Sequence, residues 1–292
     1  MDLDDEARAL LARARIGMLA LNATRLPLVT PAAFHFAGSA LWMTTSRHAV
    51  MVALARRDPR AAFLVEDRER SVLLQGILEV FDPRSLRGPL RAALEGPSFA
   101  LSLAGYALKN APFVAGYLLD LPSIPGAWWP QNRVVLRLRA TRARQLPALD
   151  VPAADPARIP TVPAAIARTL GRSPLGRLCW PAAGTPQLAP AAWTLEGSDA
   201  LVWLPTGVGR GPREGATGAL LIERHHPFRA TRMLGACLRG HVCHEPRAAK
   251  VIAERYTEPL REEGQCFRLV TERVTWWRGF KVRTVPAAAG VG

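Results

Sequence analysis

Short apolar segments separated by turn-forming residues dominate the N-terminal part of the chain. The segments are rich in β-branched and aromatic residues, and the turns between them contain Gly, Asn or Ser, as expected for strands joined by tight connections. Short strands at this spacing predict a β-barrel or a β-sandwich. The predicted strands are 16–21, 28–36, 41–45, 61–66 and 72–81.

The segment 41–60 changes from a strand pattern to a helix pattern, with Ser46 as the expected helix N-cap. A strand that runs directly into a helix leaves free N–H groups and the positive end of the helix dipole at the junction. The junction therefore predicts an anion site suited to a phosphate, with an ordinary capped turn as the alternative. Its hydroxyl and guanidinium groups belong to Thr44, Thr45, Ser46 and Arg47.

Beyond residue 83 the apolar positions of 86–94 and 99–119 repeat with a helical period. The uninterrupted apolar run 99–108 is shorter than the roughly 20 residues that a membrane span needs. We therefore predict two helices that pack on the barrel or cap a pocket, with membrane contact as the alternative. The alternating segment 134–138 predicts a closing strand after them.

The second half of the chain repeats the first. Gly17, Pro27, Pro31 and Gly38 each have an identical residue 159 positions later, and four similar blocks occur in the same order in both halves. The repeat predicts two copies of one β-domain, and hence a mainly β fold with helices (α+β). The predicted parts are a first domain at 1–145 with a helical insertion at about 84–121, a linker at 146–163, and a second, diverged domain at 164–292.

Composition and charge narrow the possible partners. The net charge of +14 comes almost entirely from arginine, which accounts for 35 of the 38 basic residues. These arginines are scattered and no nucleic-acid motif accompanies them, so we expect a small-molecule substrate rather than nucleic acid. The acidic start of the chain and four cysteines without a CxxC pair predict a cytoplasmic protein with free thiols.

Four segments of the first half and one of the second resemble the split-barrel, flavin-binding family of pyridoxamine-phosphate-oxidase-like proteins. Members of that family are typically homodimers with FMN, deazaflavin or occasionally haem at the interface between barrels. The resemblance implies two tandem split β-barrel domains that form an intrachain pseudo-dimer, as a monomer or as a homodimer of such chains. The segments are 15–21, 28–47, 55–67, 72–80 and 266–280.

The resemblance also implies a composite cofactor site. The family lysine that contacts the cofactor phosphate falls on Met51, so the phosphate would depend on other polar groups of the first copy. The tryptophans near the end of the second copy would supply a flat wall for the ring. The predicted cofactor-binding residues are Thr44, Thr45, Ser46, Arg47, Arg56, Gln75, Trp276, Trp277 and Arg278.

The leading functional hypothesis is a flavin (FMN)-dependent oxidoreductase, in which the cofactor carries the electrons and no catalytic acid or base is predicted. Because Met51 replaces the lysine, a degenerate, non-redox pair of barrels that binds a ligand or a partner is an alternative. Deazaflavin or haem on the same fold is another, with His35 and His48 as possible haem ligands. The last alternative is an enzyme with a new active site under the predicted helices.

The residues Cys237, His241, Cys243 and His244 crowd one predicted strand. Cys237 and His241 would be roughly 13 Å apart on such a strand, too far to bind one ion. The pattern therefore does not predict a metal site.

Overall fold

The computed structural model describes residues 3–85, 88–147, 149, 151, 154–226, 228–258, 260 and 263–287. The first half consists of α1 (Asp5–Arg13), β1 (Ile16–Leu21), β2 (Leu28–Ala37), β3 (Ala40–Ser46), α2 (Val50–Arg57), β4 (Arg60–Glu66), β5 (Arg70–Phe81), α3 (Gly88–Leu94), α4 (Pro97–Lys109), α5 (Ala111–Asp120) and β6 (Arg133–Pro147). The second half consists of α6 (Ala164–Gly171), β7 (Leu175–Ala182), β8 (Thr185–Glu196), β9 (Asp199–Pro205), β10 (Ala216–Arg224), β11 (Leu234–His244), α7 (Ala248–Arg255), β12 (Gly264–Arg278) and β13 (Lys281–Pro286).

The first six strands close an antiparallel barrel in the order β1-β2-β3-β6-β5-β4. Apolar side chains fill its interior, where the rings of Phe34 and Phe63 meet edge to face with centroids 5.1 Å apart. Helix α1 buries Leu10 and Leu11 against this core, and the carboxylate of Asp4 caps its N-terminus by accepting from the Ala7 amide at 2.7 Å. The predicted mainly β fold with helices is confirmed.

The second barrel has the same strand order, β7-β8-β9-β12-β11-β10, and β13 adds to the free side of β12. Two local features recur in both barrels. Gly38 and Gly197 each turn the chain between the second and third strands with φ of +61°. The register shifts at Gly76 in β5 and at Gly240 in β11, so each barrel has a bulge at the same place. The duplication predicted from the repeat is therefore present in the structure.

The two barrels share one hydrophobic core. Side chains of β1, β4 and β5, including Met18, Leu64 and Leu73, belong to the same buried cluster as Trp193 and Leu220 of the second barrel. Contiguous burial of this kind makes the two barrels one packed unit. A polar contact completes the interface, because the guanidinium of Arg177 binds the carboxylate of Glu66.

The connection after β3 differs from the prediction. Ser46 is not a helix N-cap, because it is the last residue of β3 and pairs with Arg133 in the ladder. The hydroxyl of Ser46 donates to the carbonyl of Ala127, and helix α2 begins at Val50 without a side-chain cap. The helix start therefore lies four residues beyond the predicted cap.

Three helices stand where two were predicted. Asn110 separates α4 from α5, and its buried amide donates to the carbonyls of Phe34 and Tyr106 at 3.2 and 3.0 Å. Pro112 lies in the first turn of α5, where a missing N–H costs nothing. Within the described residues, no helix combines the length and apolar character needed to cross a membrane.

One strand predicted from the sequence was too short, and another was missed. The strand predicted at 134–138 is the start of the 15-residue β6, whose last residues, Leu146 and Pro147, pair with β5. The first two residues of the predicted linker 146–163 therefore belong to the first barrel. The strand β13 was not predicted separately; its residues Lys281–Pro286 pair with the end of β12.

Candidate functional site

A cavity of about 560 Å³ lies where the two barrels meet. The first barrel contributes the first half of β2, the end of β3, the start of α2, the start of β6 and the inner sides of α4 and α5. The second barrel contributes β11, β12, β13 and the short turn Ala230–Arg232. A deep, mostly apolar cavity between domains is the usual form of a small-molecule site.

Arg133 provides a cation at the end of the cavity next to β3. Its Nη2 donates to the carbonyl and the hydroxyl of Thr44 at 2.9 and 2.6 Å, and its guanidinium lies 5.5 Å from the centroid of the Tyr117 ring. Burial lowers the pKa of Arg133, which nevertheless remains charged as arginines in proteins do. Among the described residues, no carboxylate pairs with Arg133, so its charge is available to an anionic ligand.

Arg239 brings a second cation from the opposite barrel. Its Nη2 donates to the hydroxyl of Thr275 at 2.8 Å, whereas its buried Nε has no partner among the described residues. A buried donor without a partner costs free energy that a ligand acceptor can recover. Arg239 and Thr275 both line the cavity.

Aromatic side chains form another part of the cavity lining. The indole of Trp277 lies over Gly235 of the neighbouring strand, so closely that a Cβ on Gly235 would overlap its ring. The rings of Trp128 and Phe280 meet with centroids 5.1 Å apart, and both line the cavity together with Trp277. The cavity lining therefore combines aromatic side chains with two arginines.

Three of the nine predicted cofactor-binding residues line this cavity, and they come from both barrels. Thr44 and Thr45 come from β3, and Trp277 comes from β12. The two regions that the sequence linked only by hypothesis, the polar end of the first copy and the aromatic tail of the second, therefore share one space.

Ser46, Arg47 and Arg56 do not line the cavity. The hydroxyl of Ser46 binds a backbone carbonyl, as described above. Arg47 and Arg56 both bind the carboxylate of Asp82 at the end of β5, Arg56 at 2.7 Å. The hydrogen bond from Arg47 contributes most to holding the pKa of Asp82 at about 2. The single carboxylate of Asp82 therefore already binds both guanidiniums, which makes them less available to a ligand phosphate than an unpaired arginine.

Gln75, Trp276 and Arg278 also lie away from the cavity lining. The amide of Gln75 donates to the carbonyl of Pro186 at 2.8 Å, so it joins the two barrels. Trp276 precedes Trp277 on one strand and faces the other side of it, because successive side chains of a strand alternate. Arg278 is exposed at the end of β12.

The sequence analysis missed both arginines of the site. The repeat contained a signal for Arg239, because Arg239 and Gln75 occupy the same position, immediately before the bulge glycine of each barrel. Arg133 had no such signal, since its role depends on the pairing of β6 with β3. Met51, which aligns with the family lysine, does line the cavity.

The cysteine and histidine cluster does not form a metal site. Within the part of the chain that the structure describes, no group of three His, Cys, Asp or Glu side chains could hold a metal ion. Burial raises the pKa of Cys237 to about 11, and His241 instead pairs with Glu272 at 2.9 Å. Of the two histidines considered for haem, His48 lines the cavity, whereas His35 packs against Gly105.

The class defined by this architecture is a pair of split barrels with a composite cavity at their junction. Residues 4–98 match the sequence model of the family described as pyridoxamine 5'-phosphate oxidase. The first barrel is therefore pyridoxamine 5'-phosphate oxidase-like, as the sequence resemblance predicted, and the pair of barrels fits a tandem duplication of that fold.

Several solved structures resemble about half of the chain. An FMN-binding protein from Nostoc punctiforme, described as pyridoxamine 5'-phosphate oxidase-related, is 17% identical with a TM-score of 0.36, over 50% of this chain and 87% of its own. A FAD-binding protein from Mesorhizobium loti is 17% identical with a TM-score of 0.35, over 49% and 94%. A structure described as F420 reductase is 20% identical with a TM-score of 0.31, over 49% and 98%. No curated protein matches the sequence.

Proposed function

We propose that this protein is a flavin-dependent oxidoreductase that binds one FMN in the cavity between its barrels and acts on a small molecule there. The observation that carries the proposal is the pairing of Arg133, a cation without a described carboxylate partner, with an aromatic wall in the same cavity. A flavin nucleotide combines a phosphate with a flat ring, so it satisfies both features at once.

The residues present fit such a ligand. Arg133 and the hydroxyls of Thr44 and Thr45 would bind the phosphate, which explains how the site can function with Met51 in place of a lysine. The side chain of Trp277 would cover the ring, and the unpartnered Nε of Arg239 would donate to a ring carbonyl or to a bound substrate. The flavin would supply the electron transfer, while the chain positions it and excludes water.

A deazaflavin is the second candidate, because it presents the same combination of a phosphate and a flat ring to these residues. Non-redox binding of a phosphorylated aromatic ligand is the third candidate. It is favoured by the described lining, in which no carboxylate and no lysine accompanies the arginines.

The test is an absorption spectrum of the freshly purified protein, followed by titration with FMN and with a deazaflavin. We expect visible flavin absorption, or saturable quenching of added flavin fluorescence with one equivalent per chain. Riboflavin, which lacks the phosphate, is the matched ligand control and should bind at least tenfold more weakly, because Arg133 then has no anion to pair with. A colourless protein that binds none of these compounds would remove the proposal.

A further inference from the structure

Helix α4 buries polar residues on its inner side and exposes leucines on its outer side. Ser102, Tyr106 and, directly after the helix, Asn110 are buried on the inner side, whereas Leu101 and Leu108 are 71% and 80% exposed. These two leucines are seven residues apart, and therefore lie on the same face of the helix. A helix on a water-facing surface has the opposite arrangement, because burial of apolar area is what stabilises its packing.

Helix α5 continues the same reversal. Asp120 is buried, where it binds Arg229 and accepts from the hydroxyl of Thr231 at 2.6 Å, whereas Leu118 and Leu119 are 55% and 73% exposed. The exposed residues of α4 and α5 together, which we call the outer helical face, include Ser98 as their only polar residue. Exposed apolar helix surface of this kind indicates an interaction surface.

Aromatic and basic side chains border this face. Phe228 is 51% exposed, and its backbone contacts Gly116 of α5. Trp129, 41% exposed, follows the residue whose carbonyl accepts from the hydroxyl of Tyr117. The exposed Arg232 ends a short turn that packs against α5. Aromatic residues and arginines beside an apolar helix face are the composition of a segment that lies in a membrane interface.

The outer helical face could contact a second copy of the chain or a lipid surface, and the net charge of the chain favours the lipid. Two copies, each with a net charge of +14, repel one another, whereas an anionic lipid surface attracts this protein. The helices have 13 and 10 residues, so they can lie in the headgroup region but not span the bilayer. We propose that the outer helical face docks the protein onto anionic lipid surfaces. The inner sides of the same helices line the cavity, so docking places the cavity behind these helices, one helix layer away from the lipid.

The experiment is flotation of the full-length protein with vesicles of phosphatidylcholine alone or mixed with phosphatidylglycerol. We expect binding to the mixed vesicles, weaker binding to phosphatidylcholine, and a decrease at high salt. Leu108→Glu should lower binding to the mixed vesicles by roughly tenfold or more, because it removes a leucine from the lipid and adds a charge. Val270→Glu is the matched control, since Val270 is 41% exposed on β12 and belongs to the second barrel.

Thermal unfolding of both variants checks that they remain folded. The proposal is overturned if the wild-type protein floats with neither vesicle, or if Val270→Glu lowers binding as much as Leu108→Glu. Sedimentation of the lipid-free protein tests whether a second copy of the chain covers the outer helical face instead. A stable dimer that Leu108→Glu dissociates would assign the outer helical face to a second copy and reject the lipid. None of these measurements depends on the flavin.

Discussion

The two barrels have the same topology, but the end of the third strand is polar and open in the first barrel and apolar and filled in the second. In the first barrel the end of β3 carries Thr44, which binds Arg133 and opens onto the cavity. The strand registers place Trp203 at the position of Thr44 and Gly264 at the position of Arg133. The indole of Trp203 lies so close to Gly264 that a Cβ there would overlap it. One copy therefore keeps a polar binding end, and the other fills the same space with an apolar ring.

The residues that face the end of the third strand from the other barrel also differ between the two copies. Arg239 and Trp277 of the second barrel line the cavity, while their counterparts in the first barrel are Gln75 and Leu146. Gln75 binds Pro186, and Leu146 is buried in the shared core. The duplicated chain thus has one composite cavity, and the reciprocal combination is packed. A homodimer of identical barrels could not divide these roles, because each substitution would appear in both of its sites.

The largest expected effect comes from emptying the filled position. Trp203→Ala should lower the free energy of unfolding by about 3–5 kcal/mol, because the buried indole leaves a cavity. It should leave flavin affinity and the stoichiometry of one per chain unchanged. Denaturant unfolding and flavin titration measure the two quantities. A second equivalent of bound flavin in this variant would show that the filled site is only blocked, not lost.

Removing the cation of the open site should produce the next largest effect. Arg133→Leu is expected to weaken FMN binding by about 2 kcal/mol, roughly thirtyfold, because a charged hydrogen-bond donor to the phosphate is lost. Arg144→Leu is the matched control, since Arg144 donates to the carbonyl of Val208 at 2.9 Å on the filled side. Equal losses in the two variants, measured by fluorescence titration, would contradict the assignment of the open site.

The pairing of Asp82 with Arg47 and Arg56 is specific to the first barrel, because the strand register places Pro246 at the equivalent position of the second. The pKa of Asp82 is lowered to about 2, so its contribution to stability is present above the unfolded pKa near 4. It is lost as the pH falls through 2. We expect the free energy of unfolding of the wild-type protein to exceed that of Asp82→Asn by about 1–2 kcal/mol at pH 7. Urea unfolding should show this difference shrinking below pH 4, and a difference independent of pH would refute the account.

The smallest effect is expected at the aromatic wall. Trp277→Leu should weaken flavin binding by about 1 kcal/mol, roughly fivefold, because the ring loses a stacking surface but keeps an apolar one. Trp276→Leu, on the opposite side of β12, should change the affinity less than twofold. If both substitutions weaken binding equally, Trp277 acts through strand packing rather than through contact with the ligand.

Local patterns in the sequence were sufficient for most strands of the first barrel, for the duplication and for the family resemblance. Alternating apolar positions and paired glycines such as Gly38 and Gly197 act over a few residues, so they can be read without knowing the fold. The same locality explains the error at Ser46, where the chain favours a helix N-cap but the ladder between β3 and β6 extends the strand.

The binding site depended on contacts that no local pattern records. The sequence by itself determined that Thr44, Thr45 and Trp277 have suitable chemistry, and that the two copies had diverged. Only the tertiary structure decided that Asp82 binds Arg47 and Arg56, while Arg133 and Arg239 line the cavity with no carboxylate partner among the described residues. The physical reason is that the availability of a charge depends on its partners in space, which are set by strand pairing and barrel packing between residues far apart in the chain.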